Sequence, residues 1–279
     1  MLIRFWGSRG SIPVSGSEYV KYGGDTACVE LRSAAGQVLV VDAGTGLRKL
    51  GRRLLKEKVA SCDLLLTHVH WDHIIGFPFF FPIYHKGFKL KITACAESED
   101  GVKAMMSDVM RAPYFPVEFS KAACDFSFNL FCCCGQNLAG LEINSIPLSH
   151  PNGGFGYRFT ENGKTFVFLT DNELDFRHPG GLGFEDYARF CSGADLLVHD
   201  AEFTPVEYPS YRTWGHSSYD RALELALAAG VKELGLYHHN QDRSDQQLDA
   251  IVEDCRARAA SAGSKLKIFA PGCETERTL

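Results

Sequence analysis

Long apolar runs are missing from this chain of 279 residues. A membrane-spanning helix needs about 18 or more consecutive apolar residues, and no such run occurs, so we expect no membrane span and no membrane partner. The start of the chain, residues 1–6, lacks the charged and then apolar layout of a secretion signal and is typical of a β-strand. We therefore expect a cytoplasmic protein.

An excess of basic residues is also missing. The formal net charge is −5, whereas nucleic-acid-binding domains usually carry a basic stripe. The densest group of Lys and Arg, between positions 48 and 58, has the pattern of a solvated helix face. The charge therefore argues against a nucleic-acid partner.

No C-x-x-C pair occurs among the ten cysteines. Because a secretion signal is lacking as well, we expect reduced thiols. Cys132, Cys133 and Cys134 are consecutive, and on a strand they would point to alternate faces, so they cannot act as one chelating set. We interpret them as small strand residues, with a redox-sensitive or additional metal site as the alternative.

No Pro- or Gly-rich linker divides the chain, and we predict a single domain over residues 1–279. Short apolar runs alternate with helical patterns, which is typical of α/β architecture. Strands are predicted at 38–41, 64–66, 90–93, 141–146, 165–169, 196–198, 234–237 and 266–269. Two helices are predicted from their caps. One begins after Ser217 and stops at Gly230, and the other begins after Ser244, with Gln247 completing a capping box.

Residues 67–73 carry four metal-binding side chains, namely His68, His70, Asp72 and His73. They directly follow the apolar run 64–66, a predicted strand whose end would present them outside the sheet. Imidazole and carboxylate groups suit Zn²⁺ or a similar first-row metal. Four ligands so close together cannot all bind one ion comfortably, so the spacing indicates two adjacent metals.

This H-x-H-x-D-H pattern resembles the signature of the metallo-β-lactamase superfamily, and the resemblance extends in order along nearly the whole chain. It implies an α/β fold of the four-layer αββα sandwich type, in which two related halves enclose the site. A faint internal repeat supports this. Residues 40–44 and 168–172 each contain a strand-end Asp and lead, through a crossover, to a second strand.

The resemblance also implies the remaining ligands, each after a strand-like stretch. They are His150, then Asp171 as the bridge between the metals, and finally His238, with the adjacent His239 as the alternative. The two metals would take the following ligands: His68, His70 and His150 for the first, and Asp72, His73 and His238 for the second. Asp42 follows another apolar run and is expected to orient the metal-binding loop through hydrogen bonds.

Two later segments, 199–203 and 215–218, resemble the phosphodiesterase branch of the superfamily, which includes RNase Z and small cyclic phosphodiesterases. In that branch a carboxylate and a histidine transfer protons beside the metals. Asp200 is therefore expected to orient His216, and His216 to protonate the leaving oxygen. This chain has Asp200 where the tRNA enzyme commonly has Glu, and Ser218 where it has Thr. The catalytic candidates are His216, Asp200 and Asp72, the last of which also counts as a ligand.

Three further features have two interpretations each. Arg9 would contact a substrate phosphate or lie on the surface as an ordinary arginine. The aromatic run 76–84 would fill the core, with stacking against a base as the alternative. The third feature is a set of four apolar or aromatic residues that would form a lid or a dimer contact, so a homodimer is one expectation. The set comprises Met105, Met106, Tyr114 and Phe115.

The leading hypothesis is a dinuclear metal-dependent hydrolase that cleaves a small phosphodiester with a metal-bound hydroxide. The substrate would be a cyclic nucleotide or a cyclic ribose phosphate. The cofactors would be two divalent metal ions, Zn²⁺ in first place and Mn²⁺ or Fe²⁺ as alternatives. A tRNA 3′-end endonuclease of the RNase Z type is the second hypothesis, although that enzyme's long Gly-rich, basic arm is not seen here. A diiron redox enzyme of the same superfamily is the alternative from another class, although the flavin domain that such enzymes often attach is not visible.

Overall fold

The computed structural model describes residues 1–96, 98–131 and 135–279, so the run Cys132, Cys133 and Cys134 lies outside the described residues. The described strands are β1 (Leu2–Gly7), β2 (Cys28–Arg32), β3 (Val38–Val41), β4 (Ser61–Leu65), β5 (Lys89–Ala94), β6 (Asp125–Leu130), β7 (Gln136–Leu138), β8 (Leu141–Pro147), β9 (Phe155–Glu161), β10 (Lys164–Leu169), β11 (Leu196–Asp200), β12 (Glu233–Tyr237), β13 (Lys267–Phe269) and β14 (Glu276–Thr278). The described α-helices are α1 (Leu47–Lys56), α2 (Trp71–Ile74), α3 (Glu99–Val109), α4 (Phe184–Cys191), α5 (Tyr208–Tyr211), α6 (Tyr219–Ala228) and α7 (Asp245–Ser261).

The strands form two sheets of seven, ordered β14-β1-β2-β3-β4-β5-β6 and β13-β12-β11-β10-β9-β8-β7. In each sheet one half is parallel and the other is antiparallel. The internal repeat corresponds to two parallel pairs joined by helices: β3 crosses over through α1 to β4, and β10 crosses over through α4 to β11.

The central strands are buried on both faces, which explains why their sequences are continuously apolar rather than alternating. Along β10, Phe166 and Phe168 pack between the two sheets. The intervening Val167 and Leu169 pack on the other face, against the outer helices. This period of two divides one apolar run between two cores.

The layers follow from these cores. The helices α4, α6 and α7 cover the outer face of the second sheet, while α1 and α3 cover the outer face of the first. The order helix, sheet, sheet, helix is the αββα sandwich, so the predicted fold class is confirmed.

One of the two helix caps predicted from the sequence is wrong. Ser244 caps α7 in a capping box with Gln247, as expected. The N-cap of α6, however, is Ser218 and not Ser217. The hydroxyl of Ser217 instead donates to the carbonyl of Asn172 at 2.6 Å, and it accepts from the N–H of Leu174 at 3.0 Å. Ser217 thus links two loops, a role that no local pattern indicates.

Among the described residues, no helix is both long enough and apolar enough to span a membrane. Six of the described cysteines form no disulfide, in keeping with the expected thiols; they are Cys28, Cys62, Cys124, Cys191, Cys255 and Cys273.

Candidate metal centre

Strand ends from both sheets meet at one edge of the sandwich. Asp42 follows β3, Asp171 comes two residues after β10, and His238 follows β12. All three adopt a left-handed backbone, with φ of 61°, 51° and 57°. Such a conformation costs about 1–2 kcal/mol for most non-glycine residues, although Asp and His tolerate it better than most. Strain at three neighbouring strand ends marks this edge as a candidate functional site.

The H-x-H-x-D-H loop follows β4 at the same edge. His70 is the N-cap of α2 and has an extended backbone, with φ −64° and ψ 153°. The short helix directs Asp72 and His73 into the protein, where both are buried, while Trp71 remains 70% exposed. Ligand-type side chains and an exposed aromatic ring are thus placed on opposite sides of one helical turn.

We define the first ligand group as His68, His70 and His150, with Asp171 shared. One donor atom from each of the four residues lies within 4.8 Å of the others. The Nε2 of His150 is 3.0 Å from the Nδ1 of His70. The Nε2 of His68 is 3.5 Å from the Oδ2 of Asp171. His150 reaches this edge because β8 runs in the same direction as β10, both being antiparallel to β9.

We define the second ligand group as Asp72, His73 and His238, again with Asp171 shared. The same 4.8 Å limit holds for their donor atoms. The Nε2 of His73 is 3.2 Å from the Oδ1 of Asp171 and 3.3 Å from the Oδ2 of Asp72. The Nε2 of His238 is 3.2 Å from that oxygen of Asp72. Asp171 therefore lies between the two groups, where a bridging ligand is needed.

The donor atoms suit a metal chemically. Within the described residues, the Nε2 atoms of His68 and His73 are buried and make no hydrogen bond, although carboxylate oxygens lie 3.2–3.5 Å away. A buried polar atom without a partner is costly, and a bound cation would supply one. Imidazole nitrogens and carboxylate oxygens together are the donor set of Zn²⁺ and related first-row ions. The residues present therefore fit two divalent ions, and their role as ligands stays a prediction.

Two carboxylates fix the rings of His73 and His238 from the side away from the candidate metal position. The Nδ1 of His73 is 2.8 Å from Asp42, whose carboxylate also accepts from the N–H and hydroxyl of Thr67. This is the arrangement expected for Asp42 from the sequence. The Nδ1 of His238 is 2.9 Å from the Oε2 of Glu202. Each contact engages Nδ1 and leaves Nε2 directed at the candidate metal position.

His150 is held by the main chain instead. Its Nδ1 lies 2.9 Å from the carbonyl oxygen of Gly215. Gly215 has φ of +94°, and a Cβ at this position would lie 2.1 Å from the Nδ1 of His150. Only glycine allows this close approach, so a substitution at Gly215 would displace the ligand ring.

The pKa values differ between the two groups. In the second group, burial lowers the pKa of His73 and His238, but Asp171 and neighbouring carboxylates outweigh it and raise both pKa values well above the usual range. In the first group, burial prevails. It lowers the pKa of His150 to about 3 and that of His68 well below its usual value. Protons must therefore leave the second group when a metal binds, whereas the first group is already neutral.

A histidine–carboxylate pair lies beside both groups. The Nδ1 of His216 is 2.6 Å from the Oδ2 of Asp200, as the sequence predicts. Its ring stacks on His238 with centroids 4.5 Å apart and lies edge-on to His150 at 5.1 Å. Burial lowers the pKa of His216, but Glu202 and Asp200 outweigh it and raise the pKa to about 9. The imidazole is therefore protonated at neutral pH in the metal-free chain.

His216 also belongs to a third set of close donor atoms, with Asp171, Asp200 and His238. This set competes with the acid–base interpretation, since it offers His216 a ligand role. A test of His216 must therefore measure metal content as well as turnover.

His239 is directed away from the centre. Its Nε2 lies 3.0 Å from the carbonyl oxygen of Pro271, and its ring contacts Tyr22. The structure thus brings His238, not the adjacent His239, together with the other candidate ligands.

Both interpretations of Arg9 are wrong. Its side chain is fully buried, and its guanidinium donates to the carbonyl oxygens of Gly23, Asn240 and Arg243 at 2.9–3.0 Å. Because main-chain carbonyls occupy the guanidinium, it fastens the loop after His238 to the glycine-rich N-terminal segment and cannot meet a substrate phosphate.

The aromatic run fills the core only in part. Phe77 and Phe80 are buried in the core, as predicted, but Phe79 and Phe81 are 50% and 43% exposed. Met106 belongs to α3 and is fully buried, so its predicted role in a lid or dimer contact is wrong.

Sequence reasoning gave no role to Glu173, which lies two residues after Asp171. Its buried carboxylate accepts from the N–H groups of Thr213 and Gly215 at 2.8 Å each. It also accepts from the hydroxyl of Tyr208 at 2.7 Å and contacts the Nε2 of His178 at 2.8 Å. The segment that carries His216 is thereby fixed beside the metal centre. Its position two residues after Asp171 is the only signal that the sequence offers.

Residues 37–239 match the family model described as the beta-lactamase superfamily domain, and the chain belongs to this family. This confirms the metallo-β-lactamase superfamily and fold that the H-x-H-x-D-H resemblance predicts.

Individual proteins similar to this chain share only a low sequence identity with it. Ribonuclease Z 1 from Schizosaccharomyces pombe is 26% identical over 274 residues, which cover 90% of this chain and 32% of that protein. The chain thus spans about a third of the length of this relative. Its name agrees with the predicted phosphodiesterase branch.

Two solved structures share the fold. The metallo-beta-lactamase fold protein YhfI from Bacillus subtilis superposes with a TM-score of 0.71 at 19% identity, covering 99% of this chain and 98% of that one. A diphosphatase from the PhnP family superposes with a TM-score of 0.66 at 16% identity, covering 100% and 97%.

Proposed function

We propose that this chain is a dinuclear metal-dependent phosphodiesterase that hydrolyses a small phosphodiester. The observation that carries the proposal is the pair of ligand groups joined at Asp171, with the His216–Asp200 pair directly beside both. We propose Zn²⁺ as the native metal, with Mn²⁺ or Fe²⁺ as alternatives. Bound divalent ions supply Lewis acidity toward phosphoryl oxygens and lower the pKa of water.

The side chains of the chain itself provide positioning and proton transfer. Asp42 and Glu202 hold the rings of His73 and His238, so that binding the ions requires little rearrangement. Asp171 lies between the two groups and fixes their spacing. The phosphate would thus meet a site of preset geometry, and positioning is a large part of phosphoryl-transfer catalysis.

His216 is the proposed acid for the leaving oxygen. The carboxylate of Asp200 accepts a hydrogen bond from the Nδ1 of His216, so the proton to be transferred is the one on the Nε2 of His216. In the metal-free chain the raised pKa of His216 keeps that proton in place at neutral pH, and the Asp200 carboxylate stabilises the imidazolium. Departure of an alkoxide, such as a ribose oxygen, needs this proton most.

A small substrate is favoured over tRNA by the charge and by the segment between the ligands. The net charge of −5 offers no basic surface excess for a polyanion. The described part of the segment between His73 and His150 is used largely for β5, α3 and the strands β6 to β8, which belong to the sandwich. The tRNA 3′-end endonuclease remains the second candidate, because the Schizosaccharomyces pombe relative is a ribonuclease Z.

The test is a substrate panel with metal-loaded and metal-depleted protein. The panel contains bis-p-nitrophenyl phosphate, cyclic mononucleotides, cyclic ribose phosphates and a precursor tRNA. We expect metal-dependent cleavage of the small phosphodiesters and poor cleavage of the tRNA. Efficient, site-specific tRNA 3′ processing would reverse the order of the two candidates, and no cleavage of any ester would reject the proposal.

A further inference from the structure

Large apolar side chains are exposed beside the metal-binding loop. Val69, Trp71, Phe79 and Tyr114 have exposed fractions of 38%, 70%, 50% and 74%. Scattered apolar residues are normal on a protein surface, but a contiguous patch usually marks a binding site. These four side chains form one patch in the sense that all of them line the same hollow.

This aromatic hollow, which we define by the same four side chains together with Phe115, has a volume of about 540 Å³. The value lies within the roughly 300–1,000 Å³ of typical small-ligand sites. Phe79 and Phe115 pack edge to face in its wall, with ring centroids 5.6 Å apart. Asp108 and Arg111 also line it, 3.8 Å apart, and supply one acceptor and one donor group.

The aromatic hollow adjoins a second hollow that reaches the metal centre. Val69 and Met105 line both hollows, and the second has a volume of about 400 Å³. The walls of that second hollow include His68 and His70 of the first ligand group. A ligand whose phosphate lies at the metals could therefore extend past Val69 into the aromatic hollow.

We propose that the aromatic hollow binds a planar, nucleobase-like group of the phosphodiester whose phosphate lies at the metal centre. Aromatic faces stack on bases, and the Asp108 and Arg111 groups can meet the polar edge of a base. A sugar phosphate without a base would leave these rings exposed. The inference rests on the proposed function for the position of the phosphate, and among its substrates it selects the cyclic nucleotide.

The test compares two neighbouring phenylalanines in the metal-loaded full chain. Phe79 lines the hollow, whereas Phe81 is similarly exposed but is covered by the guanidinium of Arg52, 5.4 Å from its ring centre. Titration calorimetry measures binding of AMP and of ribose 5-phosphate, which differ by the base. We expect the wild type to bind AMP more tightly than ribose 5-phosphate. Phe79→Ala should weaken AMP binding about 5- to 150-fold, the range of one base-stacking contact, without affecting ribose 5-phosphate. Phe81→Ala should change neither.

Equal affinity of the wild type for the two ligands would overturn the proposal, and so would an equal effect of Phe79→Ala on both. If Phe79→Ala instead dissociates a dimer and leaves AMP binding intact, the patch is a subunit interface and the proposal is again wrong. A preference for AMP that depends on Phe79 supports the hollow even if no phosphodiester is cleaved. In that case only the proposed function fails.

Discussion

The two ligand groups meet at Asp171 but differ in charge. The first contributes three imidazoles, whereas the second contributes two imidazoles and a carboxylate of its own, Asp72. The partners that hold the histidine rings also carry more negative charge in the second group. A backbone carbonyl holds His150 of the first group, whereas carboxylates hold His73 and His238 of the second.

The difference shows that similar residues in one fold can form two metal sites of unequal charge. Negative charge around the second group raises the pKa of its histidines and also favours a dication. The first group is less charged, and its His70 is only half-buried. We therefore expect the second group to bind metal more tightly and the first to exchange metal more readily.

The largest effect is expected from Asp171→Ala, because Asp171 belongs to both groups. The variant should lose at least one metal per chain, and turnover should fall beyond the roughly 100-fold loss typical of a change behind a ligand. Metal analysis and kinetics check both. Asp175→Ala is the control, since this nearby carboxylate pairs with Arg221 outside both groups. Retention of both metals by Asp171→Ala would remove the shared ligand on which the comparison depends.

The next effect separates chemistry from metal binding. His216→Ala should leave both metals bound and slow esters with alkoxide leaving groups by about 10²–10⁴-fold, because proton transfer to the leaving oxygen is lost. For p-nitrophenyl esters the loss should be much smaller, since that leaving group needs no proton. Asp200→Asn should give a milder form of the same pattern. Either loss of a metal or equal slowing of both ester types would reject His216 as the leaving-group acid, and loss of a metal would favour the third set of donor atoms.

Substitution of a residue that holds a ligand of one group should lower the metal affinity of that group alone. Asp42→Asn removes the charged partner of His73 and should weaken the second metal by about 10- to 100-fold, while the first keeps its affinity. Competition with a fluorescent chelator measures the two affinities. If both affinities fall together, the two groups are not independent.

The smallest effect is expected at His239, adjacent to a second-group ligand. His239→Gln loses the contact to the carbonyl of Pro271 and should lower stability modestly, because one buried hydrogen bond contributes about 0.5–1.5 kcal/mol. Metal content should stay at two per chain. A missing metal in this variant, with His238→Gln fully loaded, would exchange the roles of the two histidines.

The sequence predicts the strand-end residues well because parallel strands deliver their carboxyl ends to one edge. Asp42, Asp171 and His238 each follow an apolar run, and the family resemblance singles out Asp171 and His238 among such residues as ligands. Glu173 could not be assigned a role in this way. Its backbone partners Thr213 and Gly215 lie 40 and 42 residues away, in a segment that only the fold brings close.

Partners that lie far away in the sequence also explain why the predictions for Arg9 and Ser217 are wrong. Arg9 and Ser217 look like surface or capping residues in their local context. Arg9 bonds to carbonyls as far as 234 residues along the chain, and Ser217 bonds to Asn172, 45 residues away. Polar groups with distant main-chain partners leave no periodic signal in a single sequence.

The most direct test of the unequal dinuclear centre is anomalous diffraction from crystals grown with one and with two equivalents of Zn²⁺ per chain. At two equivalents we expect two peaks, one in each ligand group and both adjacent to Asp171. At one equivalent the peak among Asp72, His73 and His238 should be the stronger. A single peak at full loading, or a stronger peak in the first group at one equivalent, would contradict this account.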